Sequence, residues 1–302
     1  MKYKYTITVG IPVFNESPNI EKLILSILKQ RIKGAKLAEV IIVSDGSTDD
    51  TSRKIKSFKD KRIKFLINNK RLGLNKTQNK IIKHSSSEIL ILLDGDILPF
   101  NNNSIQNLID PFFKKGSIGI VAGNNISIPQ NTFFGKLIKL SHELKTEIYR
   151  NFNKGCNVYL CYGRARAFSK NFYSNLNWPE DVPEDAYSYF ECINKNFTFH
   201  FAINAKVYFS VPQNLNDHIK QSTRFFDGRK KLEKFFSKHL IKKEYSIPFL
   251  MMLKTVSKYF AKQPFKILIY ILLSLYIKVF SLKINVNHSK YDPSYSTKFL
   301  YE

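Results

Sequence analysis

The sequence predicts an α/β fold, a mostly parallel central sheet flanked by helices, followed by a basic and apolar helical extension. Three observations carry this. Across the first 125 residues, apolar runs of strand length alternate with one-face helical patterns, the signature of βαβ units. Two of those runs read as buried parallel strands and end in acidic strings, Ser44-Asp45-Gly46-Ser47-Thr48-Asp49 and Asp94-Gly95-Asp96, at the sheet edge where open α/β sheets bind ligands. Past residue 217 the pattern turns helical and basic, and an uncharged run at Ile267–Ile277 follows.

Thr6–Val13 reads as the first strand. Ser17 and Pro18 then supply an N-cap and a preorganised first helical residue. Ile20, Leu23, Ile24, Ile27 and Leu28 follow at one-face spacing, so a helix lies across the sheet. Val40–Val43 is the second strand, Asp49–Phe58 a helix and Ile63–Ile67 the third strand. Gly73–His84 is a weakly amphipathic helix, Ile89–Leu93 the fourth strand and Ile118–Ala122 the fifth. His142–Asn151 reads as helix, Val158–Phe168 as polar-interrupted strand and Asp185–Asn194 as helix. Thr198–Ile203 and Lys206–Phe209 read as two strands, and from Asp217 a basic helical pattern runs to about Lys243.

A hydrophobic content of 43% is ample for a core and excludes global disorder. The 302 residues accommodate one large α/β domain, 1–230, and an appendage, 231–302. Cys156, Cys161 and Cys192 show no metal spacing, and their odd number argues for reduced thiols on the cytosolic side. Met1 leads straight into strand-like residues with no secretory apolar region.

The net charge of +24 is concentrated: between His218 and Lys266 stand thirteen Lys/Arg against three acids. Electrostatics alone fit nucleic acid or anionic lipid. The neighbours favour lipid. Lys254, Lys258 and Lys262 recur every four residues beside an apolar side in Ile247–Ala261, as on an interfacial helix. The apolar stretch from Ile267 through Leu282 is sixteen residues long, short of the roughly 20 that span a bilayer. Surface association leads over a short span and over packing on the main domain. Because every candidate site residue precedes Phe226, removal from Ile247 onward is expected to leave the site standing.

Two Asp separated only by Gly repel each other, and a divalent cation with a phosphorylated ligand relieves that repulsion. Ile11-Pro12-Val13-Phe14-Asn15-Glu16 ends the first strand beside the Asp45 string, where carboxylates can take hydrogen bonds from a nucleobase and ribose. Asp49 and Asp50 are assigned to capping the following helix. Lys76 follows Gly73 near a helix start, a place where a cation meets phosphate. Arg164 and Arg166 alternate on a strand and either receive a phosphate or pair with Glu184. Gln221 and Arg224 sit three apart on one helix, with His218 on the same face. Trp178, the sole tryptophan, either stacks on a sugar or packs in the core.

These strings resemble a family 2 glycosyltransferase of the GT-A fold over roughly residues 5–230. Asp94-Gly95-Asp96 is similar to the family's DXD motif, Pro183-Glu184-Asp185 to its acidic acceptor-side motif, and Gln221-Ser222-Thr223-Arg224-Phe225 to its Gln-x-x-Arg-Trp motif. Two positions depart: Ser44 replaces a frequent acid, and Phe225 replaces Trp, losing the indole donor. The resemblance implies an inverting transferase that takes a sugar from a nucleotide diphosphate. Its Mn2+ or Mg2+ would be held by Asp96, with Asp94 nearer the ribose or reaching the metal through water, and with His218 as a further ligand. Pro12, Asn15, Glu16, Asp45, Lys76, Arg164, Arg166, Glu184, Gln221 and Arg224 would bind substrates. Asp185 would be the base that deprotonates the acceptor, with Asp181 and Glu180 as alternatives. The expected acceptor is a glycan or a lipid-linked glycan at the cytoplasmic face of the cell membrane. A polyprenyl-phosphate sugar synthase of the same fold is the runner-up. A non-catalytic nucleic-acid-binding protein is the reading from another class, disfavoured because the strand tips are acidic.

Overall fold

The computed structural model describes residues 3–114, 116–281 and 295–300. The described strands are β1 Tyr5–Val13, β2 Ala35–Ser44, β3 Ile63–Ile67, β4 Ile89–Leu93, β5 Leu98–Pro99, β6 Ile118–Ser127, β7 Ala165–Ser169 and β8 Thr198–Phe209. They form one sheet in the order β3-β2-β1-β4-β7-β6-β8-β5. Pairing is parallel from β3 through β4 and between β6 and β8. It is antiparallel where β7 joins β4 and β6, and where β5 joins β8.

Alternation along the strands builds two cores. Ile89, Ile91 and Leu93 of β4 enter one cluster with Ile7, Val9 and Ile11, while Leu90 and Leu92 enter the other with Ile41 and Val43. Strands covered on both faces must be apolar at every position, which is what these runs supply.

The helices are α1 Ile20–Leu28, α2 Thr51–Lys56, α3 Leu74–His84, α4 Ser104–Ile109, α5 Phe133–Asn151, α6 Lys170–Tyr173, α7 Glu184–Asn194, α8 Leu215–Leu232, α9 Lys238–Tyr245, α10 Phe249–Lys262 and α11 Pro264–Ser281. Ile20, Leu23, Ile24 and Ile27 bury the predicted face of α1. The expected cap at Ser17 and Pro18 is corrected. Asn19 holds the N-cap position, without a side-chain cap bond, and the Ser17 N–H donates to Asp49 Oδ2 at 3.1 Å. The Val158–Phe168 strand is likewise corrected: 158–160 is a 3-10 turn, and only Ala165–Ser169 meets strand partners. The two strands expected at 198–209 are one, kinked where Ala202 pairs with Gly123 and Lys206 with Asn124. The long basic helix is broken between Leu232 and Lys238, where Ser237 Oγ accepts from the Leu240 N–H.

The extension is not detached from the sheet domain. Leu232, Phe236 and Ile241 join one core and Leu300 the other. Lys258 of α10 pairs with Glu147 of α5 at 2.6 Å, and Ile267 of α11 is fully buried against α5. The outer side of α10 and α11 stays bare, with Leu250 77% and Phe265 81% exposed. No helix among the described residues is long and apolar enough to cross a membrane. Leu282, and with it 282–294 and 301–302 of the expected extension, lies outside the described residues.

Candidate active site

A cavity of about 480 Å³ opens at the C-terminal ends of β1, β2 and β4 and is closed by α5, α8 and the start of α7. Pro12, Glu16, Asp45, Asp94, Asp96, Arg164, Glu184, Asp185, His218, Gln221 and Arg224 all line it. Six segments spread from Pro12 to Arg224 therefore share one space.

At the β2 end, Asp45 is 5% exposed and both its oxygens are engaged. Oδ1 accepts from Asn68 Nδ2 at 2.9 Å and the Leu72 N–H at 2.8 Å, and Oδ2 from the Gly73 N–H at 2.8 Å. It thus fastens the loop ahead of α3 from the cavity wall. Gly46, with φ +73, turns the chain behind it; a Cβ there would lie 2.9 Å from Arg71 N. Arg71, on that loop, stacks over Phe14 at 4.1 Å and lines the cavity.

The Asp94-Gly95-Asp96 turn leans on Glu16. A Cβ at Gly95 would fall 2.6 Å from Glu16 Cγ, so the glycine is required by close approach. Burial, then the charge of Asp96, pushes Glu16 up to about 8, against the pull of Lys298. Burial and Asp96 push Asp94 up to about 6, while Arg164 and Arg166 draw it down. Glu16 Oε2 is buried and makes no hydrogen bond among the described residues.

Hard oxygen donors, an excess of negative charge and an orphaned carboxylate oxygen fit a divalent cation. No group of three or more His, Cys, Asp or Glu among the described residues forms a complete cage. The Asp94, Asp96 and His218 set is therefore not preassembled. His218 lies on another wall, its ring edge toward Phe134 and its buried Nδ1 without a hydrogen bond. Burial and the nearby Lys145 push it down to about 4, leaving a neutral ring at neutral pH.

The far end of the cavity is acidic and aromatic. Glu184 and Asp185 open α7 at its positive dipole end. Burial and Asp185 push Glu184 up to about 7, against Arg166. Glu180 is paired with Lys76 at 2.6 Å and Asp181 with Lys231 at 2.8 Å, and neither lines the cavity. Tyr149 stacks on Tyr159 at 4.4 Å, with Phe225 6.2 Å beyond, and all three line the wall.

Three expected ligand contacts are not on the cavity wall. Asn15, at φ 54, uses its side chain to bind Thr48. Lys76 is occupied by Glu180. Arg166 is fully buried, donating to Ser188 Oγ at 3.0 Å and facing Glu184 at 3.4 Å, whereas Arg164 lines the cavity and stacks over Phe209 at 4.0 Å. Trp178 takes the core alternative: it is 2% exposed and its indole N–H donates to Ser188 Oγ at 2.9 Å.

Several lining residues escaped sequence reasoning. Ser141, His142, Lys145 and Tyr149 form one helical face of α5; the His142, Lys145 and Tyr149 period was readable within the expected helix, and only Ser141 lies upstream of it. Lys298 also lines the cavity, and no local signal marks it.

Comparison with known proteins agrees with this geometry. The family model described as Glycosyl transferase family 2 matches residues 8–176. The UDP-Glc:alpha-D-GlcNAc-diphosphoundecaprenol beta-1,3-glucosyltransferase WfgD of Escherichia coli is 27% identical over 152 residues, 50% of this chain and 58% of that protein. The poly-beta-1,6-N-acetyl-D-glucosamine synthase of Staphylococcus epidermidis is 24% identical over 219 residues, 71% of this chain and 52% of that one. The chain thus spans only about half the length of these relatives. Among solved structures, the mannosyltransferase PcManGT of Pyrobaculum calidifontis, in complex with GDP-Man and Mn2+, superposes with a TM-score of 0.61 at 17% identity, covering 93% of this chain and 84% of that one. The glucosyl-3-phosphoglycerate synthase of Mycobacterium tuberculosis gives 0.56 at 16% identity, covering 76% and 78%. These likenesses establish a GT-A-type fold.

Proposed function

The chain belongs to glycosyl transferase family 2, and from that membership we propose an inverting transferase that moves one sugar from a nucleotide diphosphate to a glycan or lipid-linked acceptor at the cytoplasmic face of a membrane. The supporting observation is the continuous cavity that joins the acids at the β2 and β4 tips to Glu184, Asp185 and the Gln221/Arg224 face of α8. Pro12, Glu16 and Asp45 receive the nucleoside, and Asn15 acts on it by fixing the Thr48 loop. Asp96 and Asp94 would hold Mn2+ or Mg2+, with His218 as a further ligand. A cation held there would supply Lewis-acid neutralisation of the negative charge on the diphosphate leaving group. Arg224 and Gln221 face that same space and steady the phosphates.

Asp185 removes the proton from the acceptor hydroxyl. The oxygen forms its bond to the anomeric carbon as the bond to the diphosphate breaks on the opposite side. Glu184, tied to Arg166, orients the helix start that carries Asp185. The aromatic wall of Tyr149, Tyr159 and Phe225 offers the acceptor a stacking surface.

Residues 1–230 supply the sheet and most of the site, and within 231–302 the bare faces of α10 and α11 supply the bilayer-facing part. Bare apolar side chains beside Lys254, Lys258 and Lys262 suit an anionic membrane better than nucleic acid. The diphosphoundecaprenol acceptor in the Escherichia coli relative's name supports a lipid-linked substrate. A polyprenyl-phosphate acceptor stays second: Arg166 is buried away, but Lys145, Arg164 and Arg224 line the cavity as an alternative cationic set. The test is a panel of UDP- and GDP-sugars with and without Mn2+, scored for donor hydrolysis. Metal-dependent hydrolysis of one donor is expected, and none with any donor overturns the proposal.

A further inference from the structure

Residues 295–300 return from the far end of the sequence to the nucleotide end of the cavity. The turn Tyr295–Thr297 is pinned at the start of α8, where Ser296 donates to Asp217 Oδ2 from its N–H at 3.0 Å and its Oγ at 2.5 Å. Ser296 Oγ also accepts from the Gln213 N–H at 3.1 Å. Leu300, 3% exposed, enters the β1–α1 core. Between these anchors Thr297 and Lys298 line the cavity.

Lys298 is 7% exposed. Its ammonium donates to the Phe14 carbonyl at 2.7 Å, the Asn15 carbonyl at 2.8 Å and the Glu16 carboxylate. Its own carbonyl accepts from Asn19 Nδ2. An ammonium has three protons, and here all three go to one loop. That loop needs a cation. Asn15 sits in the left-handed region, its turn aims two successive carbonyls and a buried carboxylate at one point, and only a compact charge with three donors satisfies them together.

We infer that Lys298 is a positioning residue of the donor site. It holds the 14–16 loop and Glu16 in the shape that receives the nucleotide, and the Ser296 anchor ties that loop to α8, the helix carrying Gln221 and Arg224. The inference rests on the reading of the cavity as a nucleotide-diphosphate site.

The experiment uses the full chain with Mn2+ and either UDP or GDP, following affinity by calorimetry and donor hydrolysis as separate KM and kcat. Lys298→Met weakens nucleotide binding by about tenfold or more, the scale of a lost charged hydrogen bond, and raises donor KM more than it lowers kcat. On a Glu16→Gln background the same change costs measurably less than in the wild type, because the one charged acceptor of its three is gone while the Phe14 and Asn15 carbonyls remain. Unchanged affinity in folded Lys298→Met, or full additivity with Glu16→Gln, overturns the inference while leaving the nucleotide reading intact. If the wild type binds neither nucleotide, the reading falls and the inference with it. Wild-type protein supplies a measurement independent of any variant's folding. Amide exchange in the peptide covering 295–300 slows when the bound nucleotide and Mn2+ are added, and unchanged exchange overturns the inference.

Discussion

Arg166 lies fully buried 3.4 Å from Glu184, so a guanidinium is fixed one residue behind Asp185. It also donates to Ser188 Oγ and the Glu184 carbonyl, which makes the first turn of α7 a rigid mount for the proposed base. Breaking a buried pair from one side strands the other charge.

Arg166→Met should therefore destabilise the fold by about 3–5 kcal/mol, read from urea unfolding. Adding Glu184→Gln should recover much of that loss, since a neutral amide needs no counter-charge. A single-variant cost below about 1 kcal/mol would show that the pair is not what holds the helix start.

Asp96→Asn keeps the shape of the β4 turn and removes its charge. Donor turnover should fall at least about 10²-fold, the scale of losing an electrostatic clamp. Unchanged turnover at saturating Mn2+ would remove Asp96 from the metal site.

Asp185→Asn should spare nucleotide binding and abolish transfer, because a base acts on the acceptor. Asp181→Asn is the control, and its pairing with Lys231 predicts a small effect on rate. Loss of donor affinity with transfer retained would place Asp185 at the donor instead.

Burial and mutual repulsion hold Glu16, Asp94 and Glu184 at about 8, 6 and 7, above ordinary values of 4.5, 3.8 and 4.5. The folded, cation-free protein keeps protons that the unfolded chain has released, so stability from these groups is greatest below about pH 4 and declines as pH rises to 8. A cation bound to the ionised acids offsets that decline. The rise in Tm on adding Mg2+ should be larger at pH 8 than at pH 6 in matched thermal scans. An equal or smaller rise at pH 8 contradicts the site.

Leu250 and Phe265 are the most exposed apolar side chains of α10 and α11. Replacing both with Asp should reduce co-sedimentation with anionic vesicles at least about tenfold, while donor hydrolysis in solution is retained. Wild-type binding should survive high salt, since apolar anchoring is not screened. Release by salt alone would reduce the attachment to its lysines.

Legibility in the sequence followed the range of the forces involved. Ile89–Leu93 was bounded to the residue because burial on both faces leaves an uninterrupted apolar run, whereas Ile63–Ile67, only partly buried and carrying Lys64, was bounded by the polar residues on either side of it. β2 and β6 run longer than their apolar centres, since Ala35–Glu39 and Gly123–Ser127 pair through the backbone with polar residues such as Lys36, Glu39, Asn124 and Asn125 interrupting the apolar ones. The acids at the strand tips were legible because the strands that carry them were. Whether Arg164 or Arg166 faces the ligand was not: spacing gives both the same parity, and only packing against Glu184 and Ser188 buries one of them. The premise that every residue of the cavity precedes Phe226 does not hold, for a related reason: Lys298 lines it too. Lys298 reaches Glu16 across 282 residues, and no periodicity or motif records such a meeting.

That span also sets a clock. At roughly 5–20 residues per second of synthesis, the Phe14–Glu16 loop waits on the order of 15–60 s for the lysine that completes it. Throughout that interval β1 can pair with β2 and β4, but Glu16 faces Asp94 and Asp96 without its counter-charge. Until Lys298 is made, the nucleotide end lacks the ammonium to which the Phe14 and Asn15 carbonyls are bonded. A chaperone, a free divalent cation or the nucleotide itself could act on the protein during that stage.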